Sequence, residues 1–368
     1  MPSRSSSRWL LGLGTGMTLL ATGQNGIAMV AIAASLYHVL NHAAFKGLLF
    51  LSAGSVVMAT GTRQIEDFGG LLRRMPWSGL LFLVGALAIS GLPPLNGFVG
   101  EWLTFQALLL GFEAVPGLIR VNFPLAGALL ALTSALAAAC FVKAFGISFL
   151  ALPRSQAAAD AHEVPALMLL PQGFLAVLCL ALGLFPGAVL TVLGHVTSSL
   201  PGVPSAASLA TGALGIGTGP RLLATVTPAA LAIVVLGGVG VALGLVIVLR
   251  VSRLIRRVPT WGCGGLLSPR TAYTGTAFSK PLLMVFRALY RPTRELEALA
   301  KVSPYFPQAV RYRADIEPTF ERYLYDPLAR GVMQIADRMK VLQAGSLHAY
   351  IGYVLLLALG LLVWLGGR

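Results

Sequence analysis

Residues 26–60 read GIAMVAIAASLYHVLNHAAFKGLLFLSAGSVVMAT, and this segment is apolar over almost its whole length. An α-helix rises about 1.5 Å per residue, so about 20 apolar residues are enough to cross the hydrocarbon core of a bilayer. The segment exceeds one crossing and therefore predicts either one long membrane helix or a broken one. Polar side chains interrupt it near its centre, at His38, Asn41, His42 and Lys46.

The rest of the chain has the same apolar character. Of its 368 residues, 56% are hydrophobic and 11% are charged, whereas a soluble domain usually carries about 25% charged residues. Further apolar runs begin at Pro76, Phe123, Val164, Pro228 and Leu347, and the alternating pattern of a membrane β-barrel is absent. We therefore predict an all-α polytopic membrane protein with about 7 transmembrane helices, one of them discontinuous.

The composition divides the chain into four parts. Residues 1–25 form a short apolar segment that we interpret as a truncated helix, and residues 26–250 form the membrane domain. Residues 251–345 form a basic region, and residues 346–368 the final transmembrane helix. Leu and Tyr recur among the charges of residues 320–342 at helical spacing, which predicts an amphipathic lateral helix on the membrane surface before the last span.

The net charge of +14 is concentrated in loops and in the basic region. If residues 76–111 cross the membrane once, the loops containing Arg63 and Arg154 lie on the same side as that region. The positive-inside rule makes this side cytoplasmic, and no nucleic-acid partner is expected. The three cysteines, Cys140, Cys179 and Cys263, lack the spacing of metal ligands, so we expect no metal and no cofactor in this chain.

His38, His42 and Lys46 follow each other at intervals of four residues. Such residues lie nearly above one another on a helix, and these three would form a polar line of about 12 Å. Ionisable side chains at membrane depth are costly and usually face water or a partner group, and imidazole exchanges protons near neutral pH. The pattern favours a proton relay. The structural alternative is that these groups hydrogen-bond neighbouring helices.

The next apolar run contains Pro93 and Pro94 followed by Gly97, a combination that predicts an unwound segment within the membrane. Ion transporters use such broken helices because the freed backbone dipoles face the ion path. We expect the second half-helix to restart near Phe98, with Glu101 in its first turn, where the helix dipole favours a carboxylate. The alternative is a simple proline kink with Glu101 near an interface.

Lys143 interrupts a further apolar run, and two interpretations remain open for it. It extends to the cytoplasmic interface, or it lies inside the bundle and relays protons. His162 and Glu163 fall in a polar loop and are interpreted as solvated. No nucleotide-binding, nucleophile or metalloprotease motif is present.

Several of these motifs resemble one family. YHVLNHAAFKGLLF at residues 37–50 resembles the H-x-x-x-H-x-x-x-K helix of the antiporter-like subunits of complex I, Mrp antiporters and membrane-bound hydrogenases. GLPPLNGFVGEW at residues 91–102 resembles the second broken helix of those subunits, with Glu101 in place of their charged residue. Residues 140–146, 161–165, 261–264 and 270–273 are similar to the hydrogenase 4 and formate hydrogenlyase branch.

The resemblance implies a proton-translocating membrane subunit of an oxidoreductase complex in a prokaryotic plasma membrane, without a redox centre of its own. It implies other membrane subunits and soluble nickel–iron hydrogenase and iron–sulfur subunits as partners, and a lateral helix over residues 312–342. Only the second of the two family repeats is matched, which leaves open a fragment, a mistaken start of the sequence, or a split subunit whose first repeat another chain supplies. The implied relay consists of His38, His42, Lys46, Glu101 and Lys143.

Two other functions remain open on the sequence alone. A Mrp-type subunit would exchange cations for protons without a redox arm. A non-conducting membrane anchor would use the same polar residues for assembly rather than for transport.

Overall fold

The computed structural model describes residues 7–217, 225–249, 265, 267–290, 292–299, 309–316, 320–340, 345 and 347–366. The basic cluster at residues 250–257 and the motif at residues 261–264, which includes Cys263, lie outside these residues. The chain divides into two compact units, Met1–Phe278 and Ser279–Arg368. The described residues are mostly helical, with two pairs of short antiparallel strands among them, so the predicted helical membrane fold is confirmed.

The helices and strands have the following bounds: α1 Ser7–Ala21, α2 Asn25–Thr60, α3 Pro76–Ile89, α4 Asn96–Ala114, α5 Asn122–Phe149, α6 Gln156–Ala159, α7 Ala166–Leu184, α8 Pro186–Ser198, β1 Ile216–Gly217, β2 Thr225–Val226, α9 Pro228–Val248, α10 Gly275–Val285, α11 Arg287–Tyr290, β3 Pro292–Leu299, β4 Ala309–Ile316, α12 Asp326–Met339 and α13 Leu347–Gly366.

Helix α2 is the centre of the first unit and packs against α1, α3, α4, α7 and α8. It runs unbroken for 36 residues, a length of about 54 Å, so of the two predicted possibilities the single long helix is correct. No proline interrupts it. It ends at Gly61, whose φ of 68° lies in the left-handed region and whose N–H donates to the carbonyl of Val57, a common termination because glycine adopts this conformation without strain.

Helices α3 and α4 form the discontinuous crossing that the prolines predict. The helical conformation stops after Ile89 and resumes at Asn96, so the break covers residues 90–95. The start of α4 lies against the end of α3, and a Cβ at Gly97 would overlap the carbonyl of Ala88. A second glycine, Gly183 on α7, lets that helix pack directly on the backbone of the break at Pro94.

The run from Val164 to Leu193, expected to be one span, is two helices. Helix α7 ends at Leu184 and α8 begins at Pro186. The first position of a helix is where proline is favoured, because its missing N–H has no intrahelical acceptor there. By contrast, Pro171 lies inside α7 without ending it.

Two basic loops lie together at one end of the first unit. The N–H of Gly70 donates to the carbonyl of Leu150 at 2.7 Å, and Ser155 Oγ donates to the carbonyl of Asp67 at 2.8 Å. This end, which we call the loop end, contains Arg63 and Arg154, as the same-side prediction requires. At the opposite end, Gln24 at the α1–α2 turn approaches the last turn of α4.

Within the described residues, four helical segments are long and apolar enough to cross a membrane: Asn25–Thr60, Leu118–Phe149, Ala166–Leu184 and Pro228–Val248. Two shorter apolar helices are Pro76–Ile89 and Tyr350–Gly366. These segments give the chain the polytopic character expected from its composition.

The second unit corrects the expected extent of the lateral helix. Residues 309–316 form strand β4, paired antiparallel with β3. The helical segment is described over residues 320–340, so it does not reach back to residue 312. The reason is visible in the sequence AVRYRADI of residues 309–316, where apolar and charged residues alternate with the period of a strand.

Candidate functional site

The polar residues of α2 face the start of α4. Exposure is 4% for His38 and zero for Asn41, and Asn41 Nδ2 donates to the carbonyl of Asn96 at 2.8 Å. A Cβ at Gly100 would lie 3.4 Å from His38 Nδ1, so the bare glycine backbone of α4 packs against the imidazole. The start of α4 is therefore in direct contact with the line of His38, His42 and Lys46 on α2, which we call the histidine file.

The file continues along α2 with wider spacing. The ring centroids of His38 and His42 are 6.0 Å apart, and Lys46 Nζ lies 5.0 Å from the centre of the Phe50 ring. Direct proton transfer needs heavy atoms about 2.6 to 3.2 Å apart, so transfer between the two imidazoles requires a water molecule or a side-chain rotation. His42 also lies within electrostatic range of both Lys46 and Arg8.

Several polar atoms near this file are buried without a hydrogen-bond partner among the described residues. They are Asn41 Oδ1, His42 Nδ1 and Gln106 Oε1. Buried polar atoms are normally hydrogen-bonded, and ordered water supplies the bond where protein does not. This arrangement favours hydration between α2 and α4, which a proton relay needs.

Glu101 is held on three sides. Its Oε1 pairs with Arg8 Nη1, with only 7% of Arg8 and 11% of Glu101 exposed. Its Oε2 accepts a hydrogen bond from Ser134 on α5 at 3.1 Å. The carboxylate also rests on the break itself, because a Cβ at Gly91 would lie 2.6 Å from Oε2. Glu101 thus connects α1, α4, α5 and the unwound segment.

The environment of Glu101 differs from the expected one in two ways. Helix α4 restarts at Asn96 rather than near Phe98, so Glu101 lies in the second turn, beyond the free N–H groups of the helix start. The charge is compensated instead by Arg8, which was not among the predicted site residues. The sequence did contain a signal for this role: Arg8 directly precedes an apolar run, and a charge at membrane depth needs a partner.

Lys143 lies on α5 at the loop end. It follows Ser134 by nine residues, a distance of about 13 Å along the helix. A Cβ at Gly275 would lie 3.2 Å from Lys143 Cε and 3.1 Å from Glu66 Oε1. The structure therefore places Lys143 beside Glu66 and Gly275, and its part in a proton relay stays a prediction.

Glu66 holds the beginning of α10. Its carboxylate accepts hydrogen bonds from the N–H of Thr276 at 2.8 Å, from Thr276 Oγ1 at 2.9 Å and from the N–H of Gly275 at 3.1 Å. Burial raises the pKa of Glu66, but these hydrogen bonds and the charge of Arg154 outweigh burial and leave the pKa below its ordinary value. The carboxylate is therefore ionised at neutral pH, in the state that accepts these bonds.

Arg154 joins three segments at the same end. Its guanidinium donates to the carbonyl of Ile147 at 2.6 Å, of Glu66 at 3.0 Å and of Tyr273 at 3.4 Å. The carbonyl of Ile147 belongs to the last turn of α5, where a cation is favoured by the helix dipole. Arg154 thus fixes the end of α5 to both the Glu66 loop and the segment that leads into α10.

A second polar bridge joins α2 to α7 beyond Lys46. Gln172 Nε2 donates to Ser55 Oγ at 2.9 Å and to the carbonyl of Met168 at 2.8 Å. Its Oε1 accepts from Ser52 Oγ at 2.9 Å. All three bridging side chains, Ser52, Ser55 and Gln172, are buried, and the sequence analysis did not single them out.

Glu163 is not the solvated loop residue that was expected. Its Oε2 accepts from the N–H of Trp77 at 2.9 Å and of Ser78 at 3.2 Å, and its Oε1 accepts from Ser78 Oγ at 2.6 Å. These groups belong to the first turn of α3, whose N–H groups have no intrahelical acceptor. Glu163 therefore caps α3 from a distant part of the chain, which local sequence patterns do not reveal.

We expect Glu163→Ala to lower the free energy of unfolding by about 1 to 2 kcal/mol, the usual effect of losing a helix cap. The measurement is the thermal unfolding of the purified chain in detergent. His162→Ala is the control, because His162 is exposed and its substitution should leave stability unchanged. Equal stability of the Glu163→Ala chain and the unsubstituted chain would contradict the capping role.

Among the described residues, no three His, Cys, Asp or Glu side chains are grouped so that they could hold a metal ion. Cys140 and Cys179 have free thiols. The ionisable groups at the site are imidazole, ammonium, guanidinium and carboxylate groups.

Comparison with known proteins agrees with these features. The model of the transmembrane region of the family described as NADH:quinone oxidoreductase/Mrp antiporter matches residues 15–120, which include α2, the break and Glu101. Hydrogenase-4 component B of Escherichia coli is 33% identical over 359 residues, covering 96% of this chain and 52% of that protein. Formate hydrogenlyase subunit 3 of the same organism is 42% identical over 170 residues, covering 46% of this chain and 28% of that protein.

The fold also matches that of a solved structure, the membrane-bound sulfane sulfur reductase, an archaeal respiratory membrane complex. The TM-score is 0.60 at 22% identity, over 98% of this chain and 55% of the matched chain. This chain spans about half the length of hydrogenase-4 component B and of that structural relative.

Proposed function

Because this chain belongs to the complex I-like antiporter family of membrane subunits, we propose that it is the C-terminal half of a proton-translocating subunit. The assembly would be a membrane-bound hydrogenase or a complex I-like oxidoreductase. Redox chemistry would take place in soluble nickel–iron and iron–sulfur partners. The location would be a prokaryotic plasma membrane, with the loop end cytoplasmic.

One observation carries this proposal: the file His38, His42 and Lys46 meets a helix break that holds an ionisable carboxylate. His38 contacts Gly100, one residue before Glu101. An anchor needs no ionisable groups at this depth, where each is costly. In the proposed path, protons enter through Lys143, pass His42, His38 and Lys46 by way of water and reach Glu101, or move in the reverse direction. Each transfer changes the charge next to the following group and so its proton affinity.

The test is proton pumping by the reconstituted complex carrying Lys46→Ala or Glu101→Gln. We expect each change to lower the number of protons moved per electron by about tenfold or more, as for the loss of a positioned proton carrier. Glu113→Gln is the matched control, because Glu113 lies on the same helix but is exposed. Since Glu101→Gln also leaves Arg8 without its counter-charge, the change is repeated together with Arg8→Leu.

Undiminished pumping per electron in both the Lys46→Ala and the Glu101→Gln complexes would remove these residues from the relay. A loss of assembled complex, with normal pumping by the complex that does assemble, would favour a membrane anchor. The amount of assembled complex is therefore measured beside the pumping.

A Mrp-type antiporter subunit is the second candidate, favoured by the family match, whose description includes the Mrp antiporters. In that case vesicles without any hydrogenase would show sodium-dependent proton movement. The hydrogenase or complex I-like proposal predicts that proton movement requires the electron donor and does not depend on sodium.

A further inference from the structure

At the loop end, the beginning of α10 lies over Lys143. Gly275 is buried, and a side chain there would contact both Lys143 Cε, at 3.2 Å, and Glu66 Oε1, at 3.1 Å. Glycine is therefore the residue type that fits between the lysine and the carboxylate. Lys143 itself is half-buried, and the segment of residues 273–276, which we call the cover, restricts its contact with water.

The cover is attached at two points. Glu66 accepts three hydrogen bonds from Gly275 and Thr276, and Arg154 donates to the carbonyl of Tyr273. Both attachments involve an ionised group, which strengthens a hydrogen bond, but Glu66 accepts bonds of 2.8, 2.9 and 3.1 Å, whereas Arg154 donates one of 3.4 Å. Glu66 is therefore the stronger of the two attachments, and the loop that follows α2 holds a segment more than 200 residues further along the chain.

We infer that Glu66 is a positioning residue for Lys143: it holds the cover over the lysine and thereby limits access from the loop end to the path. This inference deepens the proposed function, because restricted access matters only if protons pass there. Glu66 does not itself carry protons in this scheme. It acts through Gly275 and Thr276, whose N–H groups would be free to leave once the carboxylate is removed.

The charges around Glu66 make the attachment insensitive to pH in the neutral range. Arg154 in the adjacent loop is the cation whose charge favours the ionised carboxylate, and Lys143 Cε lies next to Gly275 in the cover. Because the pKa of Glu66 is lowered, its stabilising effect is complete above the ordinary carboxyl range. It is lost only as the pH falls through the lowered value.

The test measures the accessibility of position 143 in the full chain in lipid nanodiscs. The native cysteines Cys140, Cys179 and Cys263 are replaced by alanine, Lys143→Cys is introduced, and the rate of labelling by a membrane-impermeant maleimide is followed. Ala157→Cys and Ala158→Cys give the two reference rates, since Ala157 is exposed and Ala158 is fully buried.

With Glu66 present, we expect a rate well below that of Ala157→Cys. Glu66→Ala should raise the rate at position 143 by about tenfold or more, which corresponds to losing one hydrogen bond to a charged group, and Glu66→Asp should restore part of the protection. Asp67→Asn is the matched control, because the Asp67 carboxylate accepts from Thr62 and not from the cover. The inference would be overturned if Lys143→Cys were labelled as fast as Ala157→Cys while Glu66 is intact. It would also be overturned if Asp67→Asn raised the labelling rate at position 143 as much as Glu66→Ala does.

A second measurement keeps Lys143 in place. Hydrogen exchange at the amides of Gly275 and Thr276 should become faster by a similar factor in Glu66→Ala and remain unchanged in Asp67→Asn. In the reconstituted complex, Glu66→Ala should shift the pH dependence of proton uptake without changing the dependence on the electron donor. If Glu66→Ala labelled faster but left the pH dependence of proton uptake unchanged, the role of the cover in transport would be overturned. Normal pumping by the Lys46→Ala complex would instead overturn the proposed function, and the attachment of the cover by Glu66 would be unaffected.

Discussion

Gly97→Ala should be among the most damaging single substitutions in the membrane domain. The added Cβ would overlap the carbonyl oxygen of Ala88, and backbone cannot move aside as a flexible side chain can. We expect the free energy of unfolding to fall by about 3 kcal/mol, the upper range for overfilling a packed site. The ends of α3 and α4 would be forced apart, so proton pumping per assembled complex should fall as well.

The matched control is Gly100→Ala, one turn further along the same helix. A Cβ there would lie 3.4 Å from His38 Nδ1 and 3.6 Å from Asn41 Nδ2, which are ordinary contact distances. Thermal unfolding of the two variants in the same detergent makes the comparison. Equal stabilities would mean that the close approach at the break is not required.

Arg8→Leu should also lower the free energy of unfolding strongly, but for an electrostatic reason. Removal of the guanidinium leaves the Glu101 carboxylate with Ser134 alone in a site where 11% of the side chain is exposed. Breaking one partner of a buried ion pair usually costs about 3 to 5 kcal/mol, because the remaining charge is not compensated. The free energy of unfolding should fall by this amount.

A double-mutant cycle separates this cost from simple loss of packing. In the Glu101→Gln background, no carboxylate remains to be compensated, so Arg8→Leu should change the free energy of unfolding by less than about 1 kcal/mol. Equal losses in the two backgrounds would show that Arg8 stabilises the chain by packing and not by its charge. An arginine does not give up its proton in proteins, so any proton that reaches Glu101 must arrive by way of another group.

Local pattern was sufficient for the central features of the fold. The long apolar run predicted α2, the spacing of four placed His38, His42 and Lys46 along one side, and Pro93 and Pro94 marked the break. Each of these follows from the geometry of a single helix. The exact restart of α4 at Asn96 did not follow, because several residues after a proline pair can begin a helix.

The features that the sequence did not reveal all depend on contacts between distant segments. Arg8 meets Glu101 and Glu163 caps α3 only because the helices pack in one particular way. Likewise, the position of Lys143 could not be decided from its own helix, since Glu66 and Gly275 determine its surroundings. Strand β4 was missed for another reason: its alternating pattern was present, but the family resemblance had extended the lateral helix over it.

The bridge between α2 and α7 has a consequence for energy conservation. A complex that stores redox energy as an ion gradient must not let the gradient discharge along the same helix. Both N–H groups of the Gln172 amide are engaged, and a primary amide neither gains nor loses a proton at physiological pH. In the proposed relay, a proton leaving Lys46 along α2 towards the loop end would therefore meet a side chain that does not carry protons, and the path would have to cross to a neighbouring helix instead of continuing along α2.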